Sequence, residues 1–149
     1  MRDLHSARSG VSRHLGTPFC RGLSEQLRDA FENHQAETEQ HVANLEKVFE
    51  LLDMRARGVT CEAIDGILEE GKEIMTEAEQ PDTRDAGMIA AAQAVEHYEI
   101  TRYGTLIAWA NQLGKADVIP LLQANLEQEY AADRKLTDLA QKGLNREAA

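Results

Sequence analysis

Cysteine, proline and aromatic residues are all scarce in this chain, and each scarcity argues against a class of fold. Cys20 and Cys61 are the only cysteines and form no C-x-x-C pair. They signal neither a disulfide framework nor a zinc knuckle, and fit free thiols in a reducing compartment. Three prolines and 5% aromatic residues argue against a sandwich or barrel of short strands, which draws on aromatic and β-branched side chains. No apolar run approaches the roughly 18 residues that would span a bilayer. Residues 1–23 also lack the apolar stretch of a signal peptide. Basic residues are the minority: 16 Lys and Arg stand against 26 Asp and Glu, a net charge of −10. An acidic surface repels phosphate backbones, so neither nucleic acid nor a membrane is an expected partner.

What is abundant is helix-forming. Ala, Leu, Glu and Gln dominate a chain of 149 residues that is 42% hydrophobic and 28% charged, enough to bury one domain's core. The charge is uneven. Residues 1–23 carry Arg2, Arg8, Arg13 and Arg21 against Asp3, a balance of +3, which leaves −13 on the remainder. This opening segment, with Gly10, Gly16 and Pro18, is poor helix material. Residues 1–22 are read as an atypical segment, a frayed or remodelled first helix, and 23–149 as the domain proper.

Apolar residues then recur at helical spacing. The pattern predicts helices over Leu23–Asp53, Thr60–Ala78, Asp82–Leu113 and Asp117–Lys142. Ser24, Thr60 and Asp117 are candidate N-caps, and Gly114 is a candidate C-terminal stop. Three of the four helices are long and the loops are short, which means an all-α antiparallel bundle.

On a helical wheel each long helix has polar residues inside its apolar stripe. Between Leu27 and Leu52 the stripe is interrupted by His34, Glu37, Thr38 and His41. Between Met88 and Ala110 it carries Glu96 and Glu99, and between Val118 and Ala140 it carries Glu129 and Asp133. A single helical Glu is ordinarily a solvated one, and a single His an ordinary core or boundary residue. Here the interruptions fall near the midpoints of three helices, which meet in one layer of an antiparallel bundle. Several facing carboxylates in a core repel one another and lose hydration, at several kcal/mol per ion. A divalent cation offsets that cost, and carboxylate with imidazole suits iron, manganese or zinc. A hydrogen-bonded network of the carboxyls with His41 and Tyr103 is the alternative without metal. His97 lies about 140° off the stripe and reads as surface or subunit interface. Trp109 is off-centre too.

The run Ala90-Ala-Ala-Gln-Ala-Val-Glu-His-Tyr-Glu-Ile100, followed by Tyr103-Gly-Thr-Leu106, resembles the YciE/YciF-type ferritin-like family of bacterial stress-response proteins. Asp133-Arg-Lys-Leu-Thr-Asp-Leu-Ala140 and Phe31-x-x-His34-x-x-Glu37-Thr38-x-x-His41 agree with it. The resemblance extends over about residues 22–142. It implies a ferritin-like four-helix bundle with an extra short helix, usually dimeric and cytoplasmic, with a two-metal carboxylate site of iron or manganese. It carries over Glu37, His41, Glu96, Glu99, Glu129 and Asp133 as metal residues, with His34 standing second to them. Glu37 and Glu129 are expected to bridge, His41 and Asp133 to be terminal, and Tyr103 to donate from behind. One departure stands out: where the family's first helix supplies a Glu within an Ala-Glu-Lys run, this chain reads Ser6-Ala7-Arg8.

Two functions follow as expectations. The first is a metal-binding protein acting on peroxide, dioxygen or iron. The second is a non-catalytic dimeric bundle whose polar layer is structural. A homodimer is expected in either case, because a remodelled first helix would leave apolar faces to be covered by association.

Overall fold

The structure, a computed structural model, describes residues 22–145 and Ala148. The expectations that concern the segment before Gly22, including Arg8 in place of an acid, lie outside the described residues. Four α-helices follow: α1 (Glu25–Leu51), α2 (Glu62–Glu77), α3 (Pro81–Gln112) and α4 (Ile119–Leu139). Among the described residues there is no strand. The helices fall within a few residues of the spans read from the apolar period. A 3-10 turn over Ala116–Val118 leads into α4, and a π-helical turn over Ala140–Leu144 prolongs it.

The helix starts differ from the expected caps. Ser24 does hold the N-cap position of α1, but its side chain makes no cap hydrogen bond. The cap of α2 is Cys61 rather than Thr60, and Asp117 lies inside the 3-10 turn instead of capping α4. The predicted stop after α3 is present: Gly114 has φ +65°, a conformation that a side chain would strain.

The bundle is up-and-down. Gln93 on α3 bonds Thr137 on α4, and Tyr103 bonds Asn125; advancing along α3 retreats along α4, so the two are antiparallel. His41 and Asn44 of α1 meet Gln128 and Asn125 of α4 in the same reversed order. Short α2 lies on α3, where a Cβ at Gly87 would stand 2.7 Å from Cγ2 of Ile74. The absence of a side chain there permits that approach.

The core has two apolar ends. At one, Leu27 and Phe31 of α1 pack on Met88 and Ile89 of α3 and Leu136 of α4. At the other, Leu45 and Val48 pack with Tyr103, Ala110 and Leu122. Between them lie His34, Thr38, His41, Glu96, Glu99, Asn125 and Glu129, all buried. The polar interruptions of the three stripes do share one level.

Candidate metal centre

Three helices supply this layer. On α3, Glu96 and Glu99 are three residues apart and so lie on one face, while His34 comes from α1 and Glu129 from α4. One ligand atom from each of these four lies within 4.8 Å of all the others, and all four residues are buried. His34 Nε2 stands 3.2 Å from Glu96 Oε1. Thr38, in the same layer, donates its hydroxyl to the carbonyl of His34 at 2.8 Å.

The other residues singled out from the sequence are placed around this group. His41 is fully buried, with Nδ1 3.3 Å from Glu129 Oε1 and Nε2 against the amide oxygen of Gln128. Both ring nitrogens therefore face side chains of α4, and the imidazole stands behind Glu129. Glu37 is 42% exposed, with Oε2 3.5 Å from Nδ1 of His34. The His34 side chain holds its carboxyl below the ordinary carboxylate range, against the opposing effect of partial burial. Asp133 is turned to the outer α3–α4 face, where Oδ1 accepts from Gln93 Nε2 at 2.9 Å and lies 3.1 Å from Nε2 of His97. His97 is 69% exposed, as its place on the wheel required.

The layer has polar neighbours that the stripes alone did not single out. Asn125 donates to Tyr103 OH at 3.0 Å and to the His41 carbonyl at 3.3 Å, and accepts from Asn44 at 2.7 Å. Tyr103 thus bonds across to α4. The signal for Asn125 was present in the α4 stripe, where it stands one turn before Glu129. Gln128 carried none, being next to the stripe rather than in it.

The chemistry of the donor set fits a divalent cation. Three carboxylates and one imidazole offer oxygen and nitrogen, the set that iron, manganese and zinc accept. Bonds of about 2.0–2.2 Å place two ligands of one ion at most about 4.4 Å apart. A 4.8 Å spread matches a trans pair within a few tenths of an ångström, while adjacent ligands, about 3.0–3.6 Å apart, would draw in by up to about 1.8 Å. A mostly apolar cavity of about 130 Å³ adjoins the layer, bounded by Phe31, Ile67, Met88 and Val95 and reaching His34 and Glu96.

Comparison with known proteins agrees with this architecture. The profile of a family described as a domain of unknown function (DUF892) matches residues 1–149. The chain belongs to the DUF892 family. The match includes residues 1–22, so the likeness is wider than the span 22–142 read from the motifs. Protein YciF of Escherichia coli (strain K12) is 39% identical over 149 residues, covering 99% of this chain and 90% of that protein. The crystal structure of the E. coli stress protein YciF superposes with a TM-score of 0.90 at 40% identity, over 97% of this chain and 91% of that one. YcfI of Rhodopseudomonas palustris, termed a candidate structural protein, gives 0.87 at 39% identity, over 91% and 87%. This DUF892 chain therefore has the helical-bundle fold of the YciF proteins. No described helix is long and apolar enough to cross a membrane.

Proposed function

We propose that this protein is a cytoplasmic stress-response protein that binds iron or manganese in the mid-bundle layer and handles peroxide, dioxygen or iron there. The observation that carries the reading is the convergence of His34, Glu96, Glu99 and Glu129 within 4.8 Å in a buried layer. Three buried carboxylates at such range are costly without a compensating cation. A bound ion with open positions would supply the redox chemistry. The protein's own part is to hold the donors and to exclude water through the apolar ends of the core. It also offers small neutral molecules an apolar approach past Phe31 and Val95. The four donors account for one ion. A second ion of a two-metal centre would have to draw on His41, Glu37 or Asp133, which in this arrangement face other side chains.

The stress connection comes from the E. coli stress protein YciF, which has the same fold at 40% identity. A homodimer belongs to the same reading, since Trp109 and Leu113 at the end of α3 are 59% and 71% exposed. The second reading is a dimeric bundle with a purely structural polar layer, favoured by the description of YcfI as a candidate structural protein. Metal analysis of protein purified without chelator, joined to anomalous scattering from crystals, separates the two. Iron or manganese located between His34 and Glu129 is the expected result. Metal-free protein that takes up neither ion would establish the second.

A further inference from the structure

We infer that Glu37 is a positioning residue for His34 rather than a metal ligand. The inference rests on the metal-binding reading above and refines it. His34 presents its two ring nitrogens to two different carboxylates. Nε2 is 3.2 Å from Glu96, inside the group of four donors, and Nδ1 is 3.5 Å from Glu37, outside it. The two acids differ in setting: the Glu96 side chain is 4% exposed and that of Glu37 is 42% exposed. Glu37 follows His34 by one helical turn on α1, about 60° round from it, which carries its carboxylate off the inward line. Both ring nitrogens face a carboxylate; an ion between Nε2 and Glu96 would displace the proton from Nε2 and leave it on Nδ1, the atom facing Glu37. The lone pair available to an ion is then on Nε2, the atom that points into the layer. A carboxylate behind a ligating imidazole sets its tautomer and ring angle and raises its basicity. Glu37 borders the apolar cavity together with Lys135, so water reaches it, as suits an outer partner better than a ligand in a dry layer.

The test is a titration of the metal-free full chain with Co²⁺, read by visible absorption, for the wild type, Glu37→Ala and Glu37→Gln. A positioning residue gives Glu37→Ala a 10- to 100-fold weaker affinity, with the band positions and intensity of the saturated complex unchanged. Glu37→Gln, which keeps an acceptor oxygen for Nδ1–H, restores most of the loss. Partial exposure of Glu37 makes both variants compatible with folding, verified by an unchanged circular dichroism spectrum. Wild-type affinity in Glu37→Ala would overturn the inference alone. A changed band pattern at saturation would overturn it in favour of a ligand role. No Co²⁺ uptake by the wild type would sink the metal-binding reading, and this inference with it.

Discussion

The backbone N–H of Ser24 is held by the carboxylate of Asp85, at 3.2 Å from Oδ1 and 3.1 Å from Oδ2. Ser24 is the N-cap of α1, and Asp85 belongs to the first turns of α3, 61 residues further on. The start of α1 is therefore satisfied across the bundle rather than by its own cap side chain. A negative charge at this point also suits the positive end of the helix dipole. Asp85 is 3% exposed, so little solvent competes for it.

Replacing Asp85 with Ala strands a buried N–H and removes that charge. The expected cost is about 1–3 kcal/mol, seen as a lower urea midpoint with an unchanged slope. A variant as stable as wild type would show that the contact carries no net energy.

At Gly87 the missing side chain lets Ile74 of α2 lie close against α3. Gly87→Ala would ordinarily favour a helix, but its Cβ would meet Ile74 at 2.7 Å. Overpacking of this kind costs about 1–3 kcal/mol. The expected result is therefore a destabilised variant. In Gly87→Ala combined with Ile74→Ala, which removes the Cγ2 that the new Cβ would meet, the two losses should be less than additive in thermal melting if Ile74 is the obstacle.

Tyr103→Phe removes the hydroxyl that accepts from Asn125 in the fully buried interior. A loss of about 1–2 kcal/mol is expected, measured by denaturant unfolding. Asn125→Leu in the same background should not restore stability, because it also removes the acceptor of the Asn44 amide and the donor to the His41 carbonyl.

Metal binding makes stability depend on the ion. Mn²⁺ at about one hundred times its dissociation constant should add about 2.7 kcal/mol, and a chelator should remove the gain. Glu129→Gln separates two opposing effects. Without metal, one charge fewer among facing carboxylates makes the variant as stable as wild type or more so. With metal, the missing ligand reverses the order. The same ranking of the two proteins with and without Mn²⁺, in paired thermal melts, would contradict the proposed site.

The homodimer is checked by light scattering of the full chain in dilute solution, where twice the chain mass is expected. Trp109→Glu, which places a charge on an exposed aromatic, should shift that mass toward the monomer. A wild type that is monomeric at micromolar concentration would end the dimer proposal.

The helices and their common polar level were legible in the sequence because both are periodic. Leu27, Leu45, Met88, Leu122 and Leu136 recur at spacings that only a helix turns to one side, and all are buried. Short loops then leave antiparallel packing as the economical arrangement, and midpoints meet without further information. Glu96, Glu99 and Glu129 are inward for that reason. What tertiary structure decided is how far each helix is rotated about its axis. Residues at neighbouring stripe positions differ by about 40–60°, within the tolerance of any wheel. His34 and His41, seven residues apart, differ by only about 20° and both point inward, but His41 meets Gln128 and Glu129 while His34 joins the donors. Glu37, one turn from His34, is left half in solvent. Asp133, one turn beyond Glu129, swings to the outer seam and is taken by Gln93 and His97. The cap of α1 by Asp85 was equally hidden, since a contact between Ser24 and a carboxylate on another helix has no period. Local spacing determines which face a residue belongs to. The partner helices, through packing that minimises buried unpaired charge, determine which edge of that face reaches the centre.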